Sequence, residues 1–129
     1  LLGLTLLHDS NIWWTWMPAD HVAQVYGAFD ATGWNSDWKF IPYWQQKYFS
    51  LPQSVYVSLY QSPDSKKVLL VIMNTSGKDQ DINLPMMLGK STFKTATAIY
   101  PNQPVNLQNE QINMLHIDNN NFRTILLEK

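Results

Sequence analysis

The sequence of 129 residues contains no cysteine, which excludes a disulfide scaffold, a thiolate metal site and a cysteine nucleophile. Charged residues make up only 15% of it, against roughly 25% in an average protein. Nine basic residues nearly balance ten acidic ones, and the formal net charge is -1. The chain therefore lacks the basic surface that binds nucleic acids or anionic membranes, and we expect neither as a partner.

Long apolar runs, clustered glycines and closely spaced histidines are also missing. No stretch approaches the roughly 20 apolar residues that a membrane-spanning helix needs. The five glycines occur singly, which excludes a phosphate-binding glycine loop. His8, His21 and His116 are too far apart for a short metal-ligand motif, so we predict no metal site and no cofactor. His116 has apolar neighbours, which favour a partly buried structural histidine.

The tryptophans are distributed unevenly along the chain. All six lie in the first 44 residues, which contain one lysine and no arginine. Such a change of composition indicates a boundary between two structural units, and we place it at about residue 50. The length suits one core with an appendage. We therefore predict an incomplete unit over residues 1–50 and a β domain over residues 51–129.

Residues 1–50 are predicted to form a strand, a loop and a helix. Residues 1–7 are almost entirely apolar, which is typical of a buried strand in a parallel sheet. Pro18 suits the first turn of a helix, and Gly33 suits its end. Four apolar side chains between them share one helical face: Val22, Val25, Tyr26 and Phe29. One strand and one helix cannot bury both faces of a parallel strand, so we expect the chain to be a piece of a longer protein.

Residues 51–129 follow the two-residue period of β-strands. Alternation at 55–60, an apolar run at 67–74 and turn residues at 63–65, 76–79 and 118–121 indicate six or seven strands and no helix. In a later strand, Ile112 and Met114 are predicted to share a face, and His116 is the next residue in that alternation. The predicted fold class is mainly β: an antiparallel sandwich of about six to eight strands, preceded by the short strand, loop and helix.

A group of polar and aromatic residues follows the first apolar run. His8 and Asp9 come directly after the predicted strand, and Trp13, Trp14 and Trp16 follow. The carboxyl end of a parallel strand is where α/β proteins bind substrates, and aromatic faces can stack on sugar rings. We predict that this loop contacts a carbohydrate substrate. Alternatively, His8 and Asp9 cap a turn and the tryptophans pack against a neighbouring domain.

Two tyrosines offer a second candidate for carbohydrate stacking. Tyr56 and Tyr60 lie on the alternate face of their strand, where they could form a platform for a sugar. A stripe of this kind more commonly packs against an adjoining domain or strand.

Catalysis by this chain alone is not expected. Glycoside hydrolysis needs two carboxylates on opposite sides of the scissile bond. Asp20 fits the first turn of the predicted helix, Asp30 lies near its end and Asp37 lies in a loop, so only Asp9 follows a predicted strand. We therefore leave the catalytic residues unassigned.

Several segments together resemble a known class of proteins. They are Leu6-Leu7-His8-Asp9, Phe40-Ile41-Pro42-Tyr43-Trp44, the strands at 55–60 and 67–74, and the closing residues 122–127. These segments resemble the C-terminal region of bacterial, Bacteroides-type glycoside hydrolases and glycoside-hydrolase-like proteins, in which a (β/α)8 barrel is followed by a β-sandwich. The resemblance implies that residues 1–50 are the terminal βα segment of such a barrel and that the protein is secreted or periplasmic.

The resemblance also implies a function and a partner. The sandwich would be an accessory domain that stabilises the upstream barrel of the same polypeptide and completes one wall of its cleft. A carbohydrate-binding module that uses exposed aromatic residues, or a general interaction sandwich, are the alternatives. Without the barrel, an exposed aromatic surface around Trp34, Trp38 and Trp44 could make the isolated chain dimerise.

Overall fold

The computed structural model describes residues 1–10 and 17–129. Two helices come first: α1 (Leu2–Leu7) and α2 (Ala19–Ala31). Ten strands follow in the described part of the chain: β1 (Lys39–Ile41), β2 (Val55–Gln61), β3 (Lys67–Asn74), β4 (Gln80–Pro85), β5 (Met87–Leu88), β6 (Ser91–Thr92), β7 (Thr95–Tyr100), β8 (Asn106–Gln108), β9 (Gln111–Ile117) and β10 (Phe122–Glu128). Neither helix is long and apolar enough to cross a membrane.

The strands form an antiparallel sandwich. The large sheet has the order β1-β2-β3-β10-β7, the small sheet has the order β4-β9-β8, and β5 pairs with β6. All pairs are antiparallel. The predicted mainly β class, an antiparallel sandwich, is confirmed, and six of the strands have six to eight residues. The short strands β5, β6 and β8 carry too little sequence pattern to be recognised.

The large sheet is covered on both faces. Its inner face packs against the small sheet through residues such as Leu70, Ile72 and Ile125. Its outer face packs against both helices through Leu69, Val71 and other residues. Every residue of β3 after Lys67 is buried, which is why this strand reads as a continuous apolar run rather than an alternation.

Residues 2–7 are helical, so the predicted opening strand over residues 1–7 is wrong. Leu2, Leu6 and Leu7 are buried against the outer face of the large sheet, whereas Leu1 and Leu4 are exposed. This one-sided burial suits a helix that lies on a sheet. A short apolar run is compatible with either a strand or a buried helix, and only the packing surface distinguishes them.

The predicted helix at Pro18 is confirmed. Pro18 immediately precedes α2, and Asp20 lies in its first turn. Val25 and Phe29 are fully buried, while Val22 and Tyr26 are half-buried on the same side. The helix ends where the Thr32 hydroxyl donates to the carbonyl of Phe29, and the left-handed Gly33 follows.

A bulge in β9 changes which residues face the core. Ile82 pairs with Leu115 but Leu84 pairs with Ile112, so β9 has one extra residue at this point. The extra residue places Leu115 in the core and leaves Met114 63% exposed. The predicted alternation therefore holds for Ile112 and is wrong for Met114 and for His116, whose side chain is half-exposed.

The first 50 residues share a core with the rest of the chain. β1 pairs with β2, and both helices pack on the large sheet. We call the core between the two helices and the large sheet the second core. Trp38 is buried in the second core and Trp34 packs against it, so neither forms the exposed aromatic surface that was expected. Trp44 is exposed. The boundary near residue 50 and dimerisation of the isolated chain both stay predictions.

The close contact between α1 and the sheet gives a test of this arrangement. A methyl group on Gly3 would lie 2.8 Å from three side-chain atoms of Phe122 in β10. We expect Gly3→Ala to lower the free energy of unfolding by about 1–3 kcal/mol, measured by urea denaturation.

Gly27→Ala is the matched control, because a methyl group there would meet no atom within 4 Å. It lies inside α2 and should raise stability by about 0.5–1 kcal/mol. If Gly3→Ala proves as stabilising as Gly27→Ala, α1 does not lie against Phe122.

Candidate functional site

Two hydroxyl groups of β2 hold the C-terminal end of α1. The Ser58 hydroxyl donates to the Leu7 carbonyl at 2.6 Å, and the Tyr60 hydroxyl donates to the Leu6 carbonyl at 2.7 Å. Both β2 side chains are buried. The last carbonyls of a helix lack partners within the helix, so these donors satisfy them. The positions of His8 and Asp9, which follow directly, are therefore set by contacts with β2.

His8 belongs to a cluster of aromatic rings, which we call the aromatic patch: His8, Tyr43, Trp44 and Tyr56. The His8 ring centroid lies 5.5 Å from that of Tyr43 and 6.0 Å from that of Trp44. Tyr43 lies edge-on to Trp44 at 5.0 Å and contacts Tyr56 at 4.7 Å. Trp44 is 58% exposed. The patch therefore offers an exposed indole that is supported by other aromatic rings.

The hydrogen bond of His8 determines which of its ring nitrogens remains available. Its Nδ1 lies 2.8 Å from the Leu4 carbonyl oxygen. Because a carbonyl oxygen only accepts, Nδ1 carries the proton. Nε2 has no hydrogen-bond partner among residues 1–10 and 17–129 and can accept one when the ring is neutral. The His8 side chain can therefore accept a hydrogen bond from a ligand hydroxyl and also form part of the aromatic patch.

Asp9 lies next to the patch in a left-handed backbone conformation, with φ of 50°. Its Oδ1 lies 3.2 Å from the Tyr60 hydroxyl, which donates mainly to the Leu6 carbonyl and shares its single proton with Asp9 in a bifurcated bond. Burial first, and then the Asp9 carboxylate, raise the pKa of Tyr60 far above its ordinary value. Tyr60 therefore remains protonated and acts as a donor, not as a base, while the carboxylate of Asp9 is exposed.

The predicted substrate-contacting residues are brought together only in part. His8 and Asp9 are exposed neighbours, but they follow a helix rather than the end of a parallel strand. Trp13, Trp14 and Trp16 lie outside the described residues. Asp20 and Asp30 occupy the two ends of α2, and Asp37 lies in a turn closed by Asn35. Contact of His8 and Asp9 with a substrate stays a prediction.

Tyr56 and Tyr60 do not together form the exposed platform that was expected. Tyr60 is buried among Phe29, Trp34 and Phe40, with ring centroids 6.1, 5.9 and 4.9 Å away. The alternative prediction, that these tyrosines pack against adjoining parts of the protein, is correct for Tyr60. Tyr56 is half-buried and supports Tyr43.

Trp44 was expected in an exposed aromatic surface, but neither Trp44 nor Tyr43 was predicted to lie beside His8. They follow β1 in a turn in which the amides of Gln45 and Gln46 both donate to the carbonyl of Pro42. An aromatic pair directly after a proline was a usable signal for an exposed loop. Its proximity to His8, 35 positions earlier, could not be read from the sequence.

A second cluster of polar side chains lies on the small sheet, and we call it the acid-histidine cluster: Asp79, Asp81, His116 and Asp118. Ligand atoms of Asp79, His116 and Asp118 lie within 4.8 Å of one another. However, both ring nitrogens of His116 already contact carboxylates, and the Arg123 guanidinium contacts Asp118 at 3.5 Å. We therefore assign the group as an ion-pair cluster rather than a metal site.

The fold is similar to part of a glycoside hydrolase family 30 endoxylanase from Clostridium papyrosolvens C71, with a TM-score of 0.59 and 15% identity. The fold is one that a glycoside hydrolase also contains. The match covers 83% of this chain and 27% of the endoxylanase chain. The sequence itself matches no protein-family model and no curated protein.

A second solved structure is also similar to this chain. It is the glycoside hydrolase family 30 subfamily 8 xylanase Xyn30A from Clostridium acetobutylicum, with a TM-score of 0.47 and 17% identity. That match covers 60% of this chain and 21% of the xylanase. This chain thus spans about a fifth to a quarter of the two solved chains it is similar to.

Proposed function

We propose that this chain is an accessory β-sandwich of a glycoside hydrolase, which stabilises a catalytic barrel of the same polypeptide and contributes a carbohydrate contact beside it. The observation that carries the proposal is the fold shared with 27% of an endoxylanase chain. The protein is secreted or periplasmic on this proposal, an expectation that rests on the sequence resemblance. Xylan is the substrate class to test first, because the similar protein is an endoxylanase.

The proposed contact is the aromatic patch together with Asp9. An exposed indole can stack on the apolar face of a sugar ring, and a carboxylate and an imidazole nitrogen can hydrogen-bond its hydroxyls. Trp44 supplies the first group, and Asp9 and His8 supply the others. Buried hydroxyls from β2 hold the chain at His8 and Asp9, which reduces the ordering cost of binding.

The proposal assigns no catalysis to the chain alone. Hydrolysis with either stereochemical outcome needs a pair of carboxylates about 5–9.5 Å apart. Among the described residues, Asp9 is the acid that lies beside the aromatic patch, and its Oδ1 is engaged with Tyr60. The catalytic pair belongs to the barrel on this proposal.

A binding experiment tests the carbohydrate contact. We expect the chain to bind xylohexaose in calorimetric titration, and Trp44→Ala to weaken the affinity by about tenfold or more. Truncation of a tryptophan that anchors a ligand typically costs about 2 kcal/mol. Leu107→Ala is the control, because Leu107 is an exposed apolar residue on the small sheet and should leave binding unchanged. Equal affinity in the Trp44 and Leu107 variants would exclude the aromatic patch as the binding site.

A second experiment tests the accessory role. The polypeptide that contains both the barrel and this chain should hydrolyse xylan, and the chain alone should not. Removal of the whole chain, residues 1–129, should lower the melting temperature of the barrel, because residues 1–50 share a core with the sandwich and cannot be left behind. A parent polypeptide without a barrel, or a barrel of unchanged stability, would contradict the proposal.

A carbohydrate-binding module is the second candidate, and the exposure of Trp44 favours it. Binding of xylohexaose by this chain, combined with unchanged barrel stability after its removal, would support this candidate over the accessory role.

A further inference from the structure

His116 makes two hydrogen bonds that require a positive charge. Its Nδ1 lies 2.9 Å from Oδ1 of Asp81, and its Nε2 lies 3.0 Å from Oδ1 of Asp118. An ionised carboxylate only accepts hydrogen bonds, so both nitrogens must donate at once. A neutral imidazole has one N–H group, whereas an imidazolium has two. This geometry therefore suits the charged ring better than the neutral one.

The two carboxylates come from separate segments of the chain. Asp81 lies on β4, and Asp118 lies in the turn between β9 and β10. The bulge at Met114 is what turns His116 outward between them. His116 thus connects the edge strand of the small sheet to the turn at residues 118–121.

The charges around His116 favour its protonated form. Asp79 lies 3.9 Å from Nε2, in addition to the two hydrogen-bonded acids. The opposing charge is Arg123, whose Nη2 is 3.5 Å from Oδ2 of Asp118. The bonds to Asp81 and then Asp118 raise the pKa of His116 above its ordinary value of 6.5. The bond from His116 lowers the pKa of Asp118, as expected for the same pair.

We propose that His116 is a proton-dependent clasp, which joins β4 to the turn at residues 118–121 while the imidazole is charged and releases one of them when it is neutral. After deprotonation, one ring nitrogen presents a lone pair to a carboxylate oxygen, and that contact becomes repulsive. Near residues 118–121, the amide of Asn119 donates to Asp79 and its side-chain oxygen accepts from the amide of Gly77, so these two amides can report whether the turn opens.

The direction of the pH effect follows from the raised pKa. A group that binds its proton more tightly in the folded state stabilises the fold fully below its unfolded pKa. The contribution of His116 is therefore complete below about pH 6.5 and is lost as the pH rises through the folded-state pKa. The site is exposed, so added salt should weaken the effect.

An NMR titration of the full chain tests the clasp. We expect the ring protons of His116 to titrate with a midpoint above 6.5. Asp81→Asn removes the carboxylate on β4 and should shift this midpoint downward. Asp30→Asn, at an exposed position at the end of α2, should leave it unchanged.

The amides of Gly77 and Asn119 provide a structural measure of opening. Their protection from hydrogen exchange should fall as the pH passes the His116 midpoint, after correction for the intrinsic rate, and this step should be lost in His116→Gln. A midpoint at or below 6.5 in the unmodified chain, or an unchanged midpoint in Asp81→Asn, would overturn the proposal.

Discussion

Replacing Phe29 by alanine should lower the free energy of unfolding by about 3–5 kcal/mol. Phe29 is fully buried between α2 and the large sheet, where its ring meets Trp34 at 5.6 Å and Tyr60 at 6.1 Å. Removal of the ring would leave a cavity lined by large aromatic side chains that cannot collapse into it. Urea denaturation followed by tryptophan fluorescence measures the loss.

Val22→Ala is the control on the same helix, because Val22 is only half-buried. It should cost about 1 kcal/mol. This pair of variants tests whether the helical layer is part of the folded unit. If both variants lower the free energy of unfolding by the same small amount, α2 does not pack on the sheet and the second core does not exist in solution.

Replacing Asn74 by alanine should cost about 3 kcal/mol or more. The side chain of Asn74 is fully buried at the end of β3. Its amide nitrogen lies 2.8 Å from the Lys78 carbonyl and 2.9 Å from the Ile117 carbonyl, and its oxygen accepts from the backbone and hydroxyl of Ser76. Each buried group left without a partner costs about 1–3 kcal/mol.

Asn113→Ala is the matched control for this variant. The amide of Asn113 also donates to two carbonyls, at 3.2 Å each, but the residue is half-buried on β9, where water can replace the lost contacts. We expect a change within about 0.5 kcal/mol. Similar losses in the two variants would show that Asn74 does not organise the turns at this end of the sandwich. The stabilities of the two variants can be compared by thermal unfolding.

The contrast between β3 and α1 shows where the sequence was sufficient to predict the secondary structure. Lys67–Asn74 contains several β-branched residues and is bounded by turn residues on both sides. The composition and the flanking turns therefore both indicate a strand. Residues 1–7 consist mainly of leucine, which has no strong preference against a helix. Both segments are apolar. The secondary structure of β3 could be predicted from its sequence, whereas that of residues 1–7 depends on the sheet against which they pack.

The candidate site shows the same limit. His8 and Asp9 could be selected as polar residues after an apolar run, but the reason offered, the end of a parallel strand, was wrong because the run is helical. Ser58 connects the segments that carry these residues, because its hydroxyl accepts from the Tyr43 amide and donates to the Leu7 carbonyl next to His8. The sequence pattern contains no trace of such a junction.

Local composition and spacing were enough to predict a mainly β chain with strands of the observed period, the helix after Pro18 and the absence of cysteine chemistry. The helical state of residues 2–7, the outward turn of His116 at the bulge and the aromatic patch became visible only in the folded chain. These features arise from contacts between segments distant in the chain, where packing and hydrogen bonding outweigh local preference.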